Sequence, residues 1–218
     1  MKDLRIRAIT GLALGLLFFL AFLYLPPFYF SLVLIGILLQ VMLFEWGTLF
    51  SSRKLLFWLL MPFYPVLPFA LLILLNQHPL YHSLLLLLFV IVSSHDTGSY
   101  LAGSLFGKRK IAPSISPGKT WEGFLGGYLI ALVAVYGVLW ACSSLQPLSF
   151  MAPFALFVCL LSLMGDLFES WLKRRAGVKD AGDILPGHGG FLDRFDGILF
   201  AVFFFYLART YLITIFFC

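Results

Sequence analysis

The chain has 218 residues, 61% of them hydrophobic and only 11% charged, with a mean hydropathy of +1.00. A soluble domain carries roughly 25% charged residues, so this composition excludes a soluble globular fold. It points to an all-α, polytopic membrane protein whose spans need about 20 apolar residues each. The net charge of +5 does not call for nucleic acid, because membrane topology accounts for it better.

Seven apolar segments follow one another. The first runs from Ala8 to Leu25 and stops at Pro26-Pro27. Its basic start resembles a signal peptide, but the run is long and lacks a small-residue cleavage pattern, so it is expected to be a retained span. The second covers Phe28 to Phe50. The third, Leu55 to Leu75, carries Pro62, Pro65 and Pro68, which must kink or break it because each removes a backbone donor. The fourth, Ser83 to Leu105, contains Asp96, and the fifth runs from Glu122 to Trp140. The sixth, Phe150 to Leu172, contains Asp166, and the seventh runs from Ile198 to Phe217. The phenylalanines of the first and last spans read as lipid-facing bulk. Residues 1–82 form an N-terminal unit of three spans. Residues 83–218 form a second membrane domain that holds the chemistry, with polar segments at 107–121 and 173–197.

Basic residues orient the chain. With the N-terminus inside, Lys2, Arg5, Arg7, Arg53, Lys54, Lys108, Arg109, Lys110, Lys119, Lys173, Arg174, Arg175, Lys179 and Arg194 all fall on inside segments; only Arg209 does not. That asymmetry predicts a cytoplasmic N-terminus in the cell (inner) membrane, with both polar segments facing the cytoplasm. Substrates are then a cytoplasmic molecule and something the bilayer delivers.

The richest polar stretch lies between Gly165 and Gly197. A carboxylate within a span is expensive and marks a cavity or an ion. Asp166 is such a group, and Asp193 and Asp196 share a face if their turn is helical. A bound magnesium ion would relieve their repulsion through hard oxygen ligands. The alternative is ion pairing with Arg194 and the Lys173 to Arg175 run. Around His188 the sequence PGHGG, with Gly189 and Gly190, forms a turn in which backbone amides can approach a ligand. With Lys173, Arg174, Lys179 and Arg194 it suits an oligophosphate. His188 could donate to phosphate, move a proton, or simply be held in the turn.

The other inside segment holds the basic patch Lys108 to Lys110 and the run SISPGKTWEG. A nucleotide-binding phosphate loop is rejected there, because Pro113 stands where the first glycine belongs and no strand is expected before it. The patch could serve lipid headgroups or a nucleotide phosphate equally well. Thr120 suits the N-cap of the fifth span. Glu45, near the inside end of the second span, reads as snorkelling or pairing with Arg53 or Lys54. None of the three cysteines forms a CxxC pair, and no metal knuckle is expected.

Ser170, Lys173, Arg174, Lys179, Asp180, Pro186, His188, Gly189, Gly190, Asp193, Arg194 and Asp196 stand at the spacing of the signature of phosphatidate cytidylyltransferases, and the chain resembles that family. The segment from Asp96 to Gly127, with Asp-Thr-Gly, Phe-Gly-Lys and Ser-Pro-x-Lys-Thr-Trp-Glu-Gly, is similar to it as well. The resemblance implies transfer of a cytidylyl group from CTP to phosphatidic acid, giving CDP-diacylglycerol and pyrophosphate. It implies that Asp166, Asp193 and Asp196 hold magnesium, with potassium as a second ion. It places Lys173, Arg174, Lys179, His188 and Arg194 around the phosphates, with Gly189 and Gly190 in the loop. Ser116, Lys119 and Glu122 would complete the site from the other segment. Membrane lipids are the expected surroundings, and a homodimer is an allowed assembly. A transporter with buried aspartates is the non-enzymatic alternative, but the polar residues crowd the cytoplasmic half.

Overall fold

The computed structural model describes residues 2–49, 55–182 and 189–217, with side chains described from residue 13 onward. Helix α1 spans Lys2–Tyr24 and α2 Pro27–Leu49. Between them Pro26 is extended and Pro27 opens α2, where its missing N–H costs nothing. Helix α3 is Leu55–Gln77 and α4 is His82–Phe106. A short antiparallel hairpin follows, β1 Lys110–Ala112 and β2 Ser116–Thr120. Then come α5 Trp121–Ala141, α6 Leu148–Ala176, α7 Leu192–Leu207 and α8 Arg209–Phe217. Helices α2 to α6 are each long and apolar enough to cross a membrane, and α7 with α8 forms a bent pair. Leu17, Phe44, Trp58, Leu129 and Val133 lie more than half exposed, as a lipid solvent requires.

The seven expected segments are therefore present, with four corrections. The last one is not a single span: α7 and α8 meet at 83°. A strand does precede Pro113, since β1 occupies Lys110–Ala112; the phosphate-loop reading still fails at Pro113 itself. The phenylalanines of the first and last segments are not lipid-facing bulk, because Phe22, Phe205 and Phe216 are buried. Phe22 stacks edge-on against Phe30, and Phe216 packs on Phe150 and Phe154. The fourth correction concerns Glu45 and belongs to the site.

The chain forms two compact units, Met1–Pro79 with Leu172–Phe195, and Leu80–Trp171 with Asp196–Cys218. The polar stretch after α6 thus belongs with the first three helices and not with its sequence neighbours. In the first unit, Asn76 donates to the Pro27 carbonyl and to Ser31 Oγ, fastening α3 to α2. Phe195 stacks against Phe18 and Phe69. The helical path of α3 breaks at Tyr64, where φ is −153° and ψ 105°, the extended conformation favoured before Pro65, as the prolines predict.

In the second unit, α4 and α5 meet through small residues. A Cβ on Gly98 would lie 2.9 Å from the Gly127 Cα, and one on Gly123 would lie 2.8 Å from the Ser99 carbonyl. Such faces let backbones approach where lipid removes any hydrophobic drive to associate. Thr120 caps α5 as expected, its Oγ1 accepting from the Gly123 N–H at 3.1 Å.

Candidate active site

In the first unit the site is a loop gripped at both ends. Helix α6 finishes with Lys173, Arg174 and Arg175 in its last turn, where cations favour the helix dipole. Gly177, at φ +76°, then ends it: its N–H reaches the Arg174 carbonyl at 3.1 Å and the Val178 N–H reaches the Lys173 carbonyl at 3.0 Å. This paired closure satisfies the orphan carbonyls and turns the chain away. Fifteen residues beyond Gly177, the chain re-enters a helix at Leu192, with Asp193 in the first turn.

Asp193 is the hub between these helices. Lys173 Nζ donates to its Oδ1 at 2.6 Å, and both side chains are largely buried. The amides of Ala181 and Gly190 donate to its Oδ2 at 3.2 and 2.7 Å. Gly189 sits at φ +75°, and a Cβ there would lie 2.5 Å from Asp193 Oδ2. Arg174, Lys179 and Arg194 are exposed around this loop. His188 and Pro186 lie outside the described residues.

Glu45 corrects the snorkelling expectation. It does not snorkel; it is fully buried, and its two oxygens accept from the Phe191 and Leu192 amides at 2.8 Å each. Those are N-terminal amides of α7, which have no partner inside the helix. Arg53 and Lys54 lie outside the described residues.

The second unit holds a cavity of about 360 Å³ bordered by α4, the hairpin and α5, and lined among others by His95, Asp96, Ser99, Ser116, Lys119 and Thr120. Lys119 Nζ pairs with the Asp166 carboxylate, both only partly exposed. Asp96 faces the cavity with 43% of its side chain exposed, and buried His95 approaches it at 3.5 Å through Nδ1. His95 Nε2 and Ser99 Oγ are 3.3 Å apart, and the ring stands edge-on to Phe124. Glu122 does not line the cavity. Its carboxylate holds the backbone amides of Lys108 and Arg109 at 3.1 to 3.3 Å, fixing the start of the hairpin.

Asp196 is buried and accepts from the Gly197 N–H at 2.7 Å. It lies within electrostatic reach of Asp96 and Lys119. Glycine makes its neighbourhood possible: a Cβ on Gly165 would collide with the Asp196 carbonyl, and one on Gly197 with Ser162 Oγ. Lys119 is thus the shared cation of this unit, paired with Asp166 and within electrostatic reach of Asp196. Among the described residues, no three His, Cys, Asp or Glu side chains gather closely enough to hold a metal ion.

Sequence reasoning named Asp166, Lys119 and Ser116 here but passed over His95, Ser99 and Glu169. Their one signal was polarity inside apolar helices.

Each unit sets a lysine–carboxylate pair among apolar helices, several of them long enough to cross a membrane, and together they define a multi-pass membrane protein. Residues 48–212 match the sequence profile described as the cytidylyltransferase family. The chain belongs to that family. It is 38% identical to the phosphatidate cytidylyltransferase of Haemophilus influenzae over 77% of this chain and 62% of that protein. It is 48% identical to that of Bacillus subtilis, over 54% of this chain and 44% of the relative. It is 37% identical to that of Rickettsia conorii, over 97% of this chain and 93% of the relative. The chain therefore spans less than two thirds of the first two relatives and nearly all of the third.

Proposed function

We propose that this protein transfers a cytidylyl group from CTP to phosphatidic acid, releasing pyrophosphate and leaving CDP-diacylglycerol in the membrane. The observation that carries the reading is the Lys119–Asp166 pair at a polar cavity in an otherwise apolar helical unit. Family membership and the names of the relatives supply the choice of nucleotide and lipid. The reaction takes place at the cytoplasmic face of the cell membrane, where the basic segments are expected.

The chemistry has a simple balance. A phosphate oxygen of the lipid bonds to the α-phosphorus of CTP as the bond from that phosphorus to the β-bridging oxygen breaks. Both reactants are anions, so repulsion and positioning dominate the barrier. Lys119 supplies positive charge at the cavity, and Asp166 fixes where its ammonium points. Arg174, Lys179 and Arg194 are exposed cations suited to gathering phosphate from water. Ser116 and Thr120 offer hydroxyls at the cavity wall.

Magnesium is the cofactor of this reading, with potassium as a second ion. Asp166 and Asp196 are the residues of the second unit that would hold the metal, but Asp166 is paired with Lys119 and, among the described residues, no three such carboxylates are gathered closely enough to hold an ion. When bound, it would neutralise charge developing on the departing pyrophosphate. Asp193, the third expected ligand, has its oxygens engaged by Lys173 and two backbone amides.

The test is pyrophosphate release by detergent-purified protein with CTP and phosphatidic acid, with and without magnesium, beside Lys119→Gln. Turnover that requires both substrates and falls by about 100-fold or more in the variant is expected, the scale at which removing one charge-stabilising group acts. A folded protein inactive with every nucleotide and lipid phosphate tried would overturn the assignment.

A further inference from the structure

We propose that Glu45 is a positioning residue for cytidylyl transfer: it clamps the start of α7 and so fixes Gly182 and Gly190, with Asp193 and Arg194 in the first turn that follows. The inference rests on the transferase reading for its meaning and on the first unit alone for its geometry.

Burying a carboxylate fully inside an apolar helix is costly unless hydrogen bonds replace its water. Glu45 receives two at 2.8 Å, both from N-terminal amides of α7. The match is chemical as well as geometric, because a helix N-terminus carries partial positive charge and unsatisfied donors. Two glycines make room for it. A Cβ on Gly190 would lie 2.5 Å from the Glu45 carboxyl carbon, and one on Gly182 would lie 3.0 Å from its Cγ. Gly182 and Gly190 therefore sit against the same carboxylate from opposite ends of the loop.

A second grip comes from the same helix one turn later. Thr48 Oγ1 donates to the Ala181 carbonyl at 2.6 Å and lies 2.7 Å from the Glu45 carbonyl. Asp193 closes the ring from α7 by accepting from Ala181 and Gly190. Glu45 closes a π-helical turn at Val41–Glu45, a departure from α geometry frequent at functional sites, and Thr48 follows in the α-helical segment Trp46–Leu49. These hydrogen bonds set the start of the helix that carries Asp193 and Arg194, and small misplacements of such groups are costly to rate.

The experiment compares wild type, Glu45→Gln, Glu45→Ala and Thr48→Val in detergent. It measures kcat and KM for both substrates, the melting temperature, and amide hydrogen exchange over residues 178–193. For Glu45→Gln, kcat should fall by about tenfold or more while each KM moves by less than about threefold, as expected when an interaction acts on the transition state. Exchange at Phe191 and Leu192 should accelerate in the same protein, with Glu45→Ala worse on both counts. A lower melting temperature with unchanged kcat per folded molecule would reduce Glu45 to a structural role and overturn the proposal. If neither Glu45 variant folds, Thr48→Val decides. Faster exchange around Ala181 with lower kcat supports the clamp, and no change in either sinks it. Exchange needs no turnover. A wild type inactive with CTP therefore overturns the transferase reading alone, and the exchange result still judges the clamp.

Discussion

On the proposed reading, Lys119 and Asp166 are a charge pair kept for chemistry more than for stability. Each is partly shielded from solvent, so both lose hydration, and their mutual attraction offsets that loss. Removing one partner strands the other. Asp166→Asn should therefore destabilise the folded protein by about 2 kcal/mol, less than the roughly 3–5 kcal/mol of a fully buried pair because both partners are partly exposed. The double variant Lys119→Met/Asp166→Leu should recover most of that loss yet stay inactive. Thermal unfolding in detergent, read beside pyrophosphate release, checks both halves. Recovery of activity in the double variant would show that the pair is structural. Asp166 was legible in the sequence because a lone aspartate in an apolar run is conspicuous. Its partner was not, because nothing in the run SISPGKTWEG says which carboxylate its lysine meets. Glu45 was misread for a related reason. A glutamate near a span end ordinarily snorkels, and only the tertiary structure brings it the amides of residues 146 and 147 positions away.

Among the elements, the α4–α5 pair depends on glycine for its closeness. A Cβ on Gly127 would strike Ser99 Oγ and stand 2.5 Å from the His95 carbonyl. Gly127→Ala must then push the helices apart at the floor of the cavity that His95 and Ser99 line. Overpacking of this kind costs about 1–3 kcal/mol, and here it should also lower turnover because Lys119 leaves from the same helix pair. Gly137→Ala on the same helix is the control. No atom lies within 4 Å of where its Cβ would be, so it should be neutral or slightly stabilising in a helix. Equal melting temperatures for the two variants would contradict the close-packing argument. Spacing of small residues on α4 and α5 could have revealed this face, since Gly123 and Gly127 are four apart. The bend between α7 and α8 had no such signal. An apolar run reads the same straight or folded, and neither proline nor glycine marks the break. Arg209 does: its guanidinium donates to the Tyr206 carbonyl at 2.7 Å and stacks over the Tyr206 ring at 4.3 Å. Gln146 then ties the far end of α8 through the Ile215 carbonyl at 2.6 Å.

For the whole molecule, the distribution of charge decides which compartment can feed the reaction. Fourteen of the fifteen Lys and Arg residues lie on segments that one orientation sends to the same side. Basic segments resist export, so that side should be the cytoplasm. The orientation has to hold for the proposed chemistry, because CTP is a charged nucleotide that does not cross the bilayer unaided. Cysteine labelling tests it with groups the chain already offers. Cys142 is free and exposed in the short turn after α5, whereas Cys159 is buried in α6. In intact cells carrying a Cys218→Ser variant, a membrane-impermeant maleimide should label Cys142 from outside. Adding Ser114→Cys, in the exposed turn of the hairpin, should introduce a second site that reacts only after permeabilisation. Removing Cys142 with Cys142→Ser isolates that second site. The reverse pattern would set Lys119 and its cavity on the outer face, away from cytoplasmic nucleotide. It would overturn the orientation and the transfer from CTP together, since the lysine that must meet the triphosphate and the loop that carries it are one hairpin.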